Sequence, residues 1–364
     1  MCIVFVAFEE HPLYSLIVAS NRDEEYDRPA SPCGWWDANG PHNGILAGRD
    51  HRKGGTWLGV HARNGVWATV TNVREAGSDD ESLSRGHLVL QLLAGGGIGE
   101  VGRGAPGVAC TSAGARSMVA QALATAPSYG GLNALVGGGG ELFWLTNRAL
   151  RAGFDPDAPH VAGTPHVELG RECRAERLGP GVHVVSNALL DTPWPKVTRG
   201  RALFRSVLEA DAARGGPASA QSRRRLAVEL LATVLSDVCR PPASELPRTT
   251  GHTLEEEALF SSICVSQRAE ERRGAGYGTV AQSVLLVGRD GRAMLTERQM
   301  RDGKPLGAPS LFEFAFSAPP PRGFLGTAVS SRSRHAQARA WALGLAVSSA
   351  ACVGLATLAR ARRS

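Results

Sequence analysis

The sequence lacks the patterns that mark a disulfide framework or a metal site. Its seven cysteines are an odd number, they are widely spaced, and no two of them form a C-x-x-C pair. The ten histidines are scattered without the spacing of metal ligands. We therefore expect a chain that folds in a reducing compartment, holds no metal and requires no cofactor.

A secretory signal is also lacking. Residues 2–8 form an apolar run, but no basic residue precedes it, and Glu9 and Glu10 end it. Because the run is too short for a signal peptide, we expect that the protein is not secreted.

Lysine is scarce, since only Lys53, Lys196 and Lys304 stand among the 40 basic residues, and the positive charge is unevenly distributed. Residues 330–364 carry six arginines and no acid, which accounts for the whole net charge of +6. The rest of the chain is balanced, without the basic excess that is typical of nucleic acid binding. We therefore expect no nucleic acid partner.

The sequence does contain short apolar segments paired across turns. Runs at 2–8 and 13–20 predict one hairpin, and Asn64-Gly65 between 56–62 and 66–72 predicts another. Further hairpins are predicted at 132–136 with 141–146 and at 280–287 with 292–297, short strands at 45–48 and 182–186, and helices at 84–94, 115–125, 196–213 and 223–238. Strands in hairpins with helices grouped between them indicate an α+β fold with antiparallel sheets.

The character of the chain changes after residue 316. Three prolines open a linker at 317–339, so residues 1–316 are predicted to form the folded domain. Residues 340–359 then carry no charge, and as a helix they would be about 30 Å long, the thickness of a bilayer core. We expect a transmembrane tail anchor, or else an alanine-rich helix on the body or the membrane surface. Only an anchor predicts that deleting residues 330–364 releases the protein from membranes.

Candidate chemistry lies near the start of the chain. Removal of Met1 would leave Cys2 with a free α-amine, whose pKa of about 7.7–8.0 lets it accept the proton of its own thiol. Arg22 and Asp23 follow in the next predicted strand, where the guanidinium would favour a thiolate and the carboxylate would hold the α-ammonium. Alternatively, Cys2 is an ordinary strand residue and residues 22–28 form a solvated polar turn.

Two asparagines, Asn72 and Asn187, each end an apolar strand. A carboxamide donor suits an oxyanion site, and it also suits the capping of a turn at a strand end. The run from Asp191 to Lys196, DTPWPK, is either a substrate lip or a loop packed by Trp194.

A series of ordered motifs runs from Met1 to Arg298. It reads MCIVFVAF, ASNRDEEYDRP, GRDHRKGGTWLGV, TVTN, SNALLDTPWPK, YGT and TER. Together these motifs resemble the NRDE family, which is the transport and Golgi organisation protein 2 family. The resemblance implies a four-layer αββα sandwich of the N-terminal-nucleophile hydrolase type.

The family is similar in motif order to cysteine amidases. That similarity implies Cys2 as the nucleophile, Arg22 and Asp23 as a charged pair, and Asn72 and Asn187 as the residues around the oxyanion. The chain departs from the family at Val280, where an arginine usually follows YGT. The candidate replacements are Arg289 and Arg298.

The resemblance also implies a cellular role. We rank first a part in trafficking, Golgi organisation and secretion, in the cytosol or on the cytoplasmic face of the mitochondrion or Golgi, with haem or acyl-lipid as cargo. The alternative is a cysteine amidohydrolase in which Cys2 attacks a small amide or acyl substrate.

Overall fold

The structure, a computed structural model, describes residues 2–37, 39–75, 82–95, 111–150, 169–247, 252–267 and 274–316. The linker expected at 317–339 and the apolar helix expected at 340–359 lie outside these residues. Within the described part of the chain, no helix is long and apolar enough to span a membrane.

The described residues form 14 strands and five α-helices. The strands are β1 (Ile3–Phe8), β2 (Tyr14–Glu25), β3 (Ala30–Trp35), β4 (Ile45–Asp50), β5 (Leu58–His61), β6 (Val66–Asn72), β7 (Leu132–Gly138), β8 (Glu141–Leu150), β9 (Leu169–Leu178), β10 (Gly181–Val185), β11 (Tyr277–Gly288), β12 (Arg292–Arg301), β13 (Lys304–Pro305) and β14 (Ser310–Ala315). The helices are α1 (Arg85–Leu93), α2 (Ser112–Thr125), α3 (Pro195–Arg214), α4 (Ala220–Glu229) and α5 (Leu254–Phe260).

The strands make two antiparallel sheets, which confirms the predicted α+β fold. The first sheet has the order β10-β1-β2-β11-β12-β13, with β14 also paired to β12. The second runs from β3 to β9 in chain order. Strand β1 therefore lies inside the first sheet, between β10 and β2.

Successive side chains of β1 point into different hydrophobic cores, because strand residues alternate between the two faces of a sheet. Phe5 packs with Phe204 of α3 and Leu226 of α4. Val4 instead packs with Leu46 of the second sheet. Burial on both faces explains why the first strand is a continuous apolar run rather than an alternating one.

A third core covers the outer face of the second sheet, where Val66 packs with Leu88 of α1 and Met118 of α2. The packed layers thus follow the order α3 and α4, first sheet, second sheet, α1 and α2. Each fully buried Leu, Met or Phe in these cores contributes about 1.5–3 kcal/mol.

Some elements differ from the sequence prediction. Strand β2 continues to Glu25 rather than ending at Ser20, because residues 21–25 pair with β11. The side chain of Asn21 is buried and donates to the carbonyls of Leu235 and Ile263 at 2.9 and 2.8 Å. Strands β3 and β9, which the sequence did not predict, lie at the two edges of the second sheet. Edge strands need fewer apolar residues and carry more charge, so they leave a weaker pattern.

The position of the unusual Val280 is a β-bulge. Thr279 pairs with Asp23 and Ala281 with Arg22, so Val280 is the extra residue of β11. Its side chain is partly exposed, whereas those of Thr279 and Ala281 are buried. A bulge of this kind redirects neighbouring side chains, and here it accompanies the contact of Thr279 with Asp23.

Candidate functional site

Cys2 lies at the end of the first sheet, immediately before β1. Ile3 pairs with Asn21 on one side and Val4 with Val185 on the other, so Cys2 is beside residues 186–187 and 22–23. The Ser186 hydroxyl donates to the Cys2 carbonyl oxygen at 2.8 Å. The thiol belongs to a partly exposed residue. Burial raises its pKa, which a hydrogen bond from the Asp23 backbone N–H partly offsets.

Asp23 is a buried carboxylate, 4% exposed, next to Cys2. The Thr279 hydroxyl donates to Asp23 Oδ1 at 2.6 Å, and the Tyr277 hydroxyl donates to its backbone carbonyl at 3.0 Å. Burial raises the pKa of Asp23, while the charge of Lys196 and the Thr279 bond act in the opposite direction. The carboxylate is therefore held by a neutral donor and a nearby cation.

Arg22 is buried as well, and its hydrogen-bond partner belongs to the second sheet, whereas its longer ion pair, at 3.9 Å, is with Glu24 of β2. Its guanidinium donates to Asp50 at 3.1 Å and lies 4.3 Å from the centroid of the Trp57 ring. Asp23, by contrast, is bonded within the first sheet. The alternative of a solvated polar turn at 22–28 is wrong for Arg22 and Asp23, because both are buried strand residues.

Asn72 and Asn187 meet at the junction of the two sheets. Asn187 Nδ2 donates to the Asn72 backbone carbonyl at 3.1 Å and to Asn72 Oδ1 at 2.9 Å. Asn187 is fully buried, whereas Asn72 is partly exposed. The structure thus brings Cys2, Asp23, Asn72 and Asn187 to one end of the first sheet.

Lys196 is a further buried residue at this end of the sheet. The sequence analysis places it only in a substrate lip or a packed loop. It follows Pro195 at the start of α3, where proline is favoured because its missing N–H needs no partner. The side chain is 2% exposed and its Nζ donates to Asn187 Oδ1 at 3.2 Å. Burial, together with the charge of Arg74, lowers the pKa of Lys196 to about 8.

Arg74 and Glu257 are two further buried charges that sequence reasoning missed. Their side chains form an ion pair, and the Arg74 guanidinium lies 4.8 Å from the Trp194 ring and 5.4 Å from the Phe260 ring. The Arg74 backbone N–H also donates to the Asn187 carbonyl at 2.7 Å. The acidic first turn of α5, LEEE, is the sequence signal for Glu257.

Neither arginine proposed to replace the one missing at Val280 contacts Cys2. Arg289 donates to Glu9 at 2.6 Å and to the His11 carbonyl, at the opposite end of β1. Arg298 donates to Gln282 at 2.7 Å and to the Leu231 carbonyl at 2.8 Å. Lys196 is a buried cation whose charge interacts with both Cys2 and Asp23.

A groove with a volume of about 1050 Å³ runs along α3 from Lys196. Its lining is mostly apolar, and it includes the cations of Lys196, Arg199 and Arg240 beside the single carboxylate of Glu245. Lys196 is the residue that the groove shares with the cluster around Cys2. Among the described residues, no group of His, Cys, Asp or Glu side chains is arranged to hold a metal ion.

Comparison with known proteins gives one family. A profile of the family described as Transport and Golgi organisation 2 matches residues 1–302. The chain is similar to the transport and Golgi organization protein 2 homolog of Homo sapiens, at 30% identity over 320 residues, covering 83% of this chain and 94% of that protein. The Bos taurus homolog is 30% identical over 319 residues (84% and 95%), and the Mus musculus homolog is 28% identical over 317 residues (83% and 94%).

Proposed function

Since the chain belongs to the Transport and Golgi organisation 2 family, we propose that it acts in intracellular transport and Golgi organisation by binding a small acyl compound in the groove along α3. The fold proposed for this role is the four-layer sandwich of the N-terminal-nucleophile type. The order of the packed layers, with helices outside two facing sheets, supports that assignment.

The binding proposal rests on the groove along α3. The mostly apolar groove of about 1050 Å³ lies at the upper end of the volumes of small-ligand sites, which run to roughly 1,000 Å³. Apolar walls favour an acyl chain through the hydrophobic effect. Arg199 is paired with Asp237 at 2.7 Å, so Lys196 and Arg240 are the lining cations that favour a polar or anionic head group over a cationic one.

A blocking substitution tests the groove. Ala202 is exposed on α3 and lines the groove, so Ala202→Trp should fill part of it and weaken binding of a fluorescent fatty acid at least about 10-fold, or 1.4 kcal/mol. Ala213→Trp, exposed on the same helix outside the groove lining, is the matched control and should bind normally. Equal binding by both variants would refute the proposal. Titration with haem, followed by its absorbance, distinguishes haem from an acyl chain as the cargo.

A second candidate function is hydrolysis of an amide or acyl bond by Cys2. The observation that favours it is the hydrogen bond from the Asp23 backbone N–H to the thiol, beside a buried carboxylate and the buried Lys196. Because burial raises the thiol pKa, attack needs a nearby base. The α-amine exposed by removal of Met1 is that base.

Mass spectrometry and an acyl probe test this candidate. The mature protein should lack Met1, and a reactive acyl probe should label Cys2 in the wild type and not in Cys2→Ala. Cys173 is an exposed thiol outside the groove lining and reports non-specific labelling. Retention of Met1, or labelling that does not include Cys2, would leave only the binding function.

A further inference from the structure

The proposal concerns the hydrogen bonds that run from Lys196 through Asn187 to Asn72. Resting on the hydrolytic candidate, we propose that Lys196 is a positioning residue, which turns and polarises the Asn72 carboxamide so that Asn72 Nδ2 donates to the oxyanion formed at Cys2. Asn187 is then the connecting group of this relay rather than an oxyanion donor.

The direction of each bond follows from donor and acceptor chemistry. A protonated lysine amine has only donors, so the Asn187 atom that faces Lys196 Nζ at 3.2 Å must be the carboxamide oxygen. The Asn187 amide nitrogen then faces Asn72, and its contacts at 2.9 and 3.1 Å reach Asn72 oxygens. Both N–H groups of Asn187 are therefore occupied.

The same reasoning leaves one donor available. Because Asn72 Oδ1 accepts from Asn187, the Asn72 amide nitrogen is turned away from it. Within the described ranges, Asn72 Nδ2 makes no hydrogen bond, and its residue is partly exposed while Asn187 is buried. Asn72 is the asparagine of the pair that retains a free carboxamide donor.

Ser186 connects this relay to the nucleophile. Its single hydroxyl proton is donated to the Cys2 backbone carbonyl at 2.8 Å, and the hydroxyl oxygen lies 3.1 Å from Asn187 Oδ1. One hydroxyl group thus lies between the Cys2 backbone and the Asn187 carboxamide. The residues of the relay therefore lie at the same end of the first sheet as Cys2.

The reaction step is a conventional acyl transfer. Cys2 Sγ forms a bond to the carbonyl carbon, the carbonyl π electrons move to oxygen, and the thiol proton passes to the Cys2 α-amine. The oxyanion then re-forms the carbonyl as the bond to the leaving group breaks. The α-ammonium gives its proton to the departing leaving group. Water hydrolyses the resulting thioester. A preorganised donor such as Asn72 Nδ2 stabilises the oxyanion in both halves.

The experiment compares two reactions of Cys2 in protein whose Met1 has been removed. Acylation by a nitrophenyl ester passes through an oxyanion, whereas alkylation by iodoacetamide does not. Lys196→Met should slow acylation about 100-fold more than it slows alkylation, the effect of removing one oxyanion donor. A change common to both reactions reports the loss of the Lys196 charge near the thiol. Asn72→Ala should slow acylation by a similar factor. The double variant with Lys196→Met and Asn72→Ala should be acylated no more slowly than either single variant. Lys196→Gln keeps a donor for Asn187, so its acylation rate should fall less than that of Lys196→Met. This variant also serves as the control for a folding defect in Lys196→Met.

The outcomes separate the relay from the function on which it rests. If the wild type is not acylated, hydrolysis fails and the relay fails with it. If the wild type is acylated and Lys196→Met is equally fast, the relay alone is overturned. If Lys196→Met slows acylation and alkylation equally, Lys196 acts through the thiol alone, which also overturns the relay.

Discussion

Lys196 and Asp23 are buried side chains whose surroundings oppose their charged forms. Burial lowers the pKa of Lys196 to about 8 and raises that of Asp23. Each reduces the cost of ionising the other, because the charge of one opposes the shift of its neighbour. Such paired shifts are typical of functional sites.

A pH dependence follows at the scale of the residue. The groups that act on Lys196 are Arg74, Asp23, Cys2 and Glu257. Below pH about 8 Lys196 is charged and polarises the relay, and above it the amine loses that charge. The ratio of the acylation rate to the alkylation rate of Cys2 should therefore fall as the pH rises through about 8.

Measuring both rates at each pH removes the ionisation of the thiol, which affects them alike. In Lys196→Met the ratio should be lower than in the wild type below pH about 8, and the pH dependence that remains belongs to the Cys2 α-amine. A wild-type ratio that stays constant through pH about 8 would contradict the assignment of this titration to Lys196.

Helix α3 places Lys196 beside Asn187 and packs closely against β1. Gly200 makes this approach possible: a Cβ at Gly200 would lie 2.4 Å from Phe5 Cζ and 3.0 Å from Ile263 Cδ1. Alanine is normally the better helix former, by about 1 kcal/mol, but the close contact outweighs propensity here. The glycine is thus required by packing between elements.

Gly200→Ala should lower the free energy of unfolding by about 1–3 kcal/mol, the usual cost of overpacking. The measurement is urea unfolding followed by circular dichroism. Thr198→Ala, an exposed change on the same helix, should stay within about 0.5 kcal/mol of the wild type. Equal stability of Gly200→Ala and the wild type would mean that α3 can move away from β1 at no cost.

The two sheets behave as one body at the scale of the whole molecule, because they share a core and polar contacts. Asn133 of β7 is fully buried, donates to the Ala188 carbonyl at 2.6 Å and accepts from Trp144 Nε1 at 3.1 Å. Thr71 of β6 donates to the Ser186 carbonyl at 2.6 Å. The site at the end of β1 therefore depends on both sheets.

Thermal unfolding should show a single transition, at the same temperature by tryptophan fluorescence and by far-ultraviolet circular dichroism. Asn133→Ala leaves two buried polar partners unpaired and should shift the whole transition down, by about 1–3 kcal/mol for each unpaired group. Leu306→Ala, at a side chain that is 64% exposed, is the control without a shift. Two separate transitions would mean that the sheets fold independently.

The hairpins, the α+β class and the family were within reach of sequence reasoning, because they depend on local patterns. Turn signals such as Asn64-Gly65 and apolar runs such as 2–8 act over a few residues. Edge strand β9 and the short helix α5 were missed because neither has a strong apolar pattern. The predicted site residues could be named from motifs, but their orientations could not.

The sequence by itself determined which segments pair as hairpins, the family to which the chain belongs and the candidate residues at Cys2, Asp23, Asn72 and Asn187. Only the tertiary structure decided that Arg22 faces the second sheet, that Lys196 is buried beside Asn187, and that Asn72 rather than Asn187 keeps a free donor. These features depend on contacts between different strands and helices, and that of Asn187 with Asn72 joins residues 115 positions apart. No local pattern specifies such contacts, because they arise when two sheets and a helix pack together.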